Sequence, residues 1–195
     1  DGTAGTSGRS IAWTFLNPKG GATVRLFSAL SAYMSFGLNS REPARSDMFA
    51  GFDNLDTTNA GFVGPLETVR PERAHDLEAG VRLHGARWSA NANAFAMEFR
   101  NEILPVGALS YIGTPLRTNV PASWRRGVEL EAQWRPTRRL GAGFNATAMR
   151  SRIREFTDAN TGTSYRNTEA LMSPRWVSGQ HLTARPNDAL SVSLH

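Results

Sequence analysis

Between Val128 and Trp134 apolar and polar positions alternate without a break. Val128, Leu130, Ala132 and Trp134 share one side of the chain, and Glu129, Glu131 and Gln133 share the other. A period of two predicts a strand rather than a helix. Trp134 ends the apolar row immediately before Arg135 and Pro136, where the chain has to turn. The polar row must be wet. The apolar row faces either a soluble core or lipid, and a terminal Trp fits the aromatic belt at a membrane interface.

The same period recurs along the chain. After Asn17-Pro18, Ala22, Val24 and Leu26 alternate with Gly21, Thr23 and Arg25, and a short turn leads to Ala32, Met34, Phe36 and Leu38. Leu77, Ala79, Val81 and Leu83 oppose a charged row of Asp76, Glu78, Gly80, Arg82 and His84. Gly85-Ala86-Arg87 returns the chain into Trp88–Asn101, where an alanine row (Ala90, Ala92, Ala94, Ala96) alternates with Asn91, Asn93, Phe95 and Met97. That places Phe95, Met97 and Phe99 on the polar side, which requires either a bulge or a lumen lined with aromatics near its top.

Leu140, Ala142, Phe144, Ala146 and Ala148 form the next apolar row. Trp176–Arg185 and the alternation Leu190, Val192, Leu194 complete the series around a turn at Pro186-Asn187-Asp188. Residues 41–73, rich in Gly, Pro, Asp and Asn, 102–123, broken by Pro and Gly, and the polar stretch 157–173 read as long loops. About eight strands, joined alternately by short turns and long loops, have the rhythm of short periplasmic turns and long extracellular loops. The predicted fold is therefore all-β: a segment of an antiparallel transmembrane β-barrel.

Composition supports this reading. Hydrophobic residues make up only 40% of the 195-residue chain, which is thin material for a soluble core. No run approaches the ~18 apolar residues of a spanning helix. Asp1–Gly8 lacks the basic-then-apolar order of a signal peptide, so the chain is expected to come from the interior of a longer one. The net charge of +5 rests on Arg, since Lys19 is the single lysine. The arginines are scattered, with adjacent pairs only at Arg125-Arg126 and Arg138-Arg139, and read as solvated loops and lumen rather than a phosphate track, so no nucleic-acid partner is expected. There is no Cys, and the four histidines show no metal-ligand spacing. Neither cofactor nor metal is predicted. Glu129 and Glu131 are spaced like a catalytic carboxylate pair but have no partner His nearby, so no enzyme activity is expected. Trp13, Phe27, Trp88 and Trp134 include three residues close to short turns, as in a periplasmic-side girdle.

These residues also carry a resemblance. Arg126-Gly127-Val128-Glu129-Leu130-Glu131 resembles the Arg-Gly-Val-Glu-hydrophobic-Glu strand start of TonB-dependent outer-membrane receptors. Asn17-Pro18-Lys19, Ser40-Arg41-Glu42-Pro43, Arg70-Pro71-Glu72 followed by Leu77-Glu78-Ala79-Gly80, and Phe99-Arg100-Asn101-Glu102-Ile103 resemble further segments of that family, in the same order. The resemblance implies the outer membrane of a Gram-negative bacterium and a 22-stranded barrel with an N-terminal plug. It implies uptake of a scarce nutrient, foremost a ferric siderophore, with energy delivered through TonB.

Residues 1–195 are then expected to be part of the barrel domain, without the plug, the TonB-contacting N-terminal region or the C-terminal closing strands. Within that frame the expected plug-facing lumen residues are Glu78, Arg82, Glu129, Glu131 and Gln133. The expected ligand contacts in the extracellular loops are Arg41, Arg45, Arg70, Tyr111, Arg117 and Tyr165, since Arg and Tyr suit an anionic, oxygen-rich ligand. Two other readings make different predictions. A complete small barrel of structural or adhesive role requires its first strand to close on its last, and a soluble antiparallel binding module would dissolve without detergent.

Overall fold

In a computed structural model, the protein is described at residues 12–44, 47, 58, 69–109, 113, 115–157, 162–187 and 189–194. Those residues form a single antiparallel sheet of nine strands: β1 (Lys19–Phe27), β2 (Leu30–Arg41), β3 (Glu72–His84), β4 (Trp88–Leu109), β5 (Pro115–Thr137), β6 (Leu140–Thr157), β7 (Ser164–Thr168), β8 (Trp176–Asn187) and β9 (Leu190–Leu194). Each strand from β1 to β6 pairs with the next. β8 follows on β6, β9 on β8, and the short β7 adds to the far end of β6. Among the described residues β1 and β9 are opposite edges and do not pair, whereas a small complete barrel requires its first strand to close on its last.

Tight connections gather at one end. Ser28-Ala29, Gly85–Arg87 and Arg138-Arg139 join β1 to β2, β3 to β4 and β5 to β6. The longer connections lie at the other end, where the strands also run on. Residues 102–123, expected as a loop, instead continue β4 and β5 as a ladder that pairs Glu102 with Val120 and Leu109 with Pro115. The expected loop at 157–173 likewise contains β7, paired with β6 through Ile153–Thr157. At 22 and 23 residues β4 and β5 are far longer than the ~9–11 residues a barrel strand needs to cross a bilayer, so this hairpin projects well beyond it.

The small buried core lies in the projection. Leu104, Val120, Ile153 and Ala170 pack together with Phe156 against them. Below it the sheet is one layer thick, and its apolar face is bare: Met34, Val128, Leu130, Trp134, Trp176 and Leu182 are all exposed. An apolar surface this continuous demands a cover. Trp124 and Trp134 bracket it on β5. Ten residues at about 3.4 Å each, tilted by about 40°, put the two rings about 26 Å apart in height, against a lipid band of about 25 Å in transmembrane barrels. Trp88 stands directly opposite Trp134 in register, so both belong to one girdle beside the short turns.

Candidate functional site

Register assembles the polar face of the sheet from residues far apart in sequence. Tyr33, Gly80, Asn93, Glu129 and Thr147 are successive cross-strand neighbours on β2 to β6. Because Gly80 has no side chain, the Tyr33 ring can lie across it to reach β4, where its hydroxyl donates to Asn93 Oδ1 (3.1 Å) and Asn91 Oδ1 (3.3 Å). The Arg82 guanidinium lies 4.1 Å from the centre of the same ring. Asn93 is buried and donates on to Glu129 Oε2 at 3.5 Å, extending the chain of contacts to β5. A Cβ on Gly80 would meet the Tyr33 ring at 2.6 Å and the Ala92 carbonyl oxygen at 2.5 Å.

The device is repeated one row higher. Phe95 faces Gly127, and a Cβ there would meet the ring at 2.7 Å. Pairing of β4 with β5 is continuous from Trp88 to Arg100, so of the two expectations for this strand it is the aromatic-lined face, not a bulge, that places Phe95, Met97 and Phe99 on the polar side. The alternation shifts only at Asn101, whose φ of 53° is left-handed. Beyond it the buried Glu102 carboxylate accepts from Ser123 Oγ and pairs with Arg125 at 2.5 Å, while Arg125 stacks 4.5 Å from the Phe99 ring.

The five expected lumen residues thus share one face. Arg82 and Glu129 belong to the Tyr33 network. Glu78, Glu131 and Gln133 make no side-chain hydrogen bond to any described residue, so their polar atoms are open to another surface. Asp76, on the same face, has a buried Oδ1 with no hydrogen-bond partner among the described residues. Tyr33, Asn91, Asn93 and Asp76 were not singled out from the sequence. A glycine interrupting the polar row of a strand, as Gly80 does, is the one local signal that a large neighbour lies across it.

The expected loop contacts are distributed over the far end of the sheet. Arg41 pairs with Glu72 Oε2 at 3.2 Å, and the same oxygen accepts from the Ile103 amide at 3.0 Å. Arg70 is held through its backbone, its N–H and C=O both bonded at 2.8 Å to the Asn119 side chain. Arg117 approaches the buried Asp47 carboxylate at 3.9 Å. Tyr165 stacks on Phe156 with ring centres 6.5 Å apart. Arg45 and Tyr111 lie outside the described residues.

Solved structures with a similar sheet include receptors and a transporter. The siderophore receptor PirA from Pseudomonas aeruginosa superposes with a TM-score of 0.63 at 15% identity, over 91% of this chain and 29% of its own. The ferric yersiniabactin uptake receptor FyuA from Yersinia pestis gives 0.59 at 18%, over 90% and 24%, and the copper transporter OprC gives 0.61 at 17%, over 88% and 24%. The chain therefore spans about a quarter of the length of these proteins, and the likeness is one of fold. No curated protein sequence matches it. A family model described as TonB dependent receptor-like, beta-barrel, matches residues 1–194. With a one-layer sheet, apolar outside and hydrogen-bonded inside, and that match over nearly its whole length, the chain belongs to the TonB-dependent receptor β-barrel family, whose members are receptors and transporters rather than enzymes.

Proposed function

We propose that this chain forms part of the barrel wall of an outer-membrane active transporter in a Gram-negative bacterium. Its cargo is a ferric siderophore, and its energy comes through TonB. The observation that supports this most directly is the division of the sheet into an exposed apolar face about one bilayer tall and a polar face with unspent hydrogen-bonding groups. Lipid covers the first. The second lines the lumen, where Glu78, Glu131, Gln133 and Asp76 receive hydrogen bonds and cations from a plug domain, with Arg82 and Glu129 held in place by Tyr33 and Asn93. Two of the structural likenesses are named as receptors for siderophores or their ferric complexes, which favours that cargo class over copper.

At the far end, Arg41, Arg45, Arg70, Tyr111, Arg117 and Tyr165 supply the cationic and phenolic contacts for an anionic iron complex. The test is uptake of a panel of radiolabelled ferric siderophores by iron-starved cells with and without the full-length gene, each with and without a protonophore. Loss of uptake of at least one complex on deletion, and its abolition by the protonophore, is expected. Uptake of every complex unchanged by deletion overturns the cargo assignment, and uptake indifferent to the protonophore overturns the energy coupling.

A further inference from the structure

Toward its short-turn end the polar face of the sheet changes sign. Glu129 and Glu131 are the last acids on β5, and residues 2–41, 79–97 and 132–154, which hold the turns β1–β2, β3–β4 and β5–β6, contain neither Asp nor Glu. Where the acids stop, β5, β6 and β8 enclose a cavity of about 410 Å³. Gln133, Gly141, His181 and Thr183 line it from positions that register puts on the polar face. Arg135, Arg138, Arg139 and Arg185 surround them, and all four arginines are exposed.

The backbone that carries these arginines is tied down while their side chains are unspent. The Arg135 N–H donates to the Arg87 carbonyl oxygen at 2.7 Å, the Arg185 N–H to that of Arg139 at 2.8 Å, and the Arg139 N–H to Thr137 Oγ1 at 3.1 Å. Arg87 spends its guanidinium inside the fold, donating from Nη1 to the Pro136 carbonyl oxygen at 2.7 Å. The four arginines of the cavity make no side-chain hydrogen bond or ion pair to any described residue. Gly141 keeps the floor open, since even a Cβ there would come only within 3.7 Å of the Arg135 stem. Four like charges around one space repel, and a bound polyanion relieves them.

We propose that this cavity is a polycarboxylate-binding site at the mouth of the lumen. The inference rests on the barrel-wall reading, which puts the short-turn end on the periplasmic side. Guanidinium forks take carboxylate oxygens in pairs, and Thr137, Thr183 and Gln133 add neutral hydrogen-bonding groups between them. The cavity spans three strands, about 10 Å at ~4.8 Å per strand, which suits two or more carboxylates better than one. Its volume is that of a small-molecule site. Glu131 stands one row above Gln133 on the same face, so an anion held here meets like charge toward the lumen and open water on the other side. Two sources carry this chemistry: an oxygen-rich anionic iron complex on its way out of the lumen, and carboxylate side chains of the polypeptide that fills it.

The test uses the full-length protein extracted from outer membranes, titrated by calorimetry in detergent at low salt with tricarballylate and with its uncharged triamide. The wild type is expected to bind the tricarboxylate and not the triamide, and R135Q/R139Q/R185Q to bind it at least about 10-fold more weakly, as the loss of three ion pairs allows. R100Q/R150Q, far from the cavity, is expected to bind as the wild type does. That pattern assigns the site to a free polycarboxylate. A resident segment would block the titration, and R139K then reveals it, because a carbodiimide couples the introduced amine to a carboxylate in contact with it. Coupling to a part of the same polypeptide outside these 195 residues, read by peptide mass spectrometry, assigns the site to the polypeptide's own carboxylates. Heat-modifiable migration on gels reports that each variant is folded. Tricarballylate binding that is unchanged in a folded triple variant overturns the proposal. So does a wild type that binds none of it while R139K couples to nothing, to a second protein, or only to Glu129, Glu131 or Asp188 of this wall. A wild-type protein absent from outer membranes overturns the barrel-wall reading itself.

Discussion

Replacing Gly80 by alanine tests the inner network directly, because the glycine is the space through which Tyr33 reaches β4. The added Cβ would lie 2.6 Å from the phenol ring and 2.5 Å from the Ala92 carbonyl oxygen, both well inside contact distance. The ring must leave. It then loses the hydrogen bond that its single hydroxyl proton shares between Asn93 and Asn91, and its contact with Arg82. At about 1–1.5 kcal/mol for the shared hydrogen bond and about 0.5–1 kcal/mol for the cation–π contact, the loss comes to about 1.5–2.5 kcal/mol. The Ala92 carbonyl is backbone and cannot step aside, so G80A in a Y33S background is expected to remain destabilising. Y33F keeps the ring over Gly80 and is expected to cost only about 1–2 kcal/mol. The assay is reversible urea unfolding of the full-length receptor into and out of lipid vesicles, followed by tryptophan fluorescence. A G80A protein within about 0.5 kcal/mol of wild type would refute the account of this glycine, since surface substitutions away from special features fall in that range.

Three further outcomes are expected. L130R places a charge in the middle of the outward band and should destabilise the receptor by about 2–4 kcal/mol in the same assay, whereas E131R, one residue on and facing inward, should cost less than about 1 kcal/mol; equal effects would contradict the assignment of faces. E102Q removes the charge that the Arg125 guanidinium meets in a largely buried site, and a loss of about 2–4 kcal/mol is expected, with the β4–β5 projection becoming sensitive to protease first. Hydrogen bonds from Arg152 and Arg175 hold the Glu169 carboxyl below its ordinary value of 4.5. A lowered folded value stabilises above the unfolded one and is lost as pH falls through it, so hydrogen exchange in residues 164–175, corrected for the intrinsic pH dependence, should be flat from pH 7 to 5 and rise only below about 4.5. E169Q should abolish that pH step.

The membrane-crossing part of the fold is legible in the sequence because each strand there has one lipid face and one wet face. That forces the strict alternation seen at Val128–Trp134 and Leu77–His84. The projection is not legible, because outside the lipid nothing imposes the alternation. Pro105, Gly107, Pro115 and Pro121 then read as loop residues, yet the ladder accommodates them. Pro121 falls at the step between the pairs Arg100–Ala122 and Glu102–Val120, opposite the left-handed Asn101, where a missing N–H costs little. The Tyr33–Asn93 contact spans 60 residues and exists only through register. No local pattern encodes it beyond the glycine that makes room.

Arginine shows the same limit from the other side. Along the chain Arg73, Arg100, Arg126 and Arg150 stand about 25 residues apart, and in one dimension that spacing is scatter. In an up-and-down sheet it is close to the repeat of neighbouring strands, so residues spread through the sequence converge on adjacent rows at one height. Each faces outward within one row of Trp124, the far boundary of the apolar band, where a long basic side chain can keep its stem on apolar atoms and carry its guanidinium toward water. The outward pairs of Glu98 with Arg126 and Arg154 and the inward pairs Arg41–Glu72 and Arg125–Glu102 are therefore consequences of one topology, in which register rather than nearness in sequence decides which charges meet.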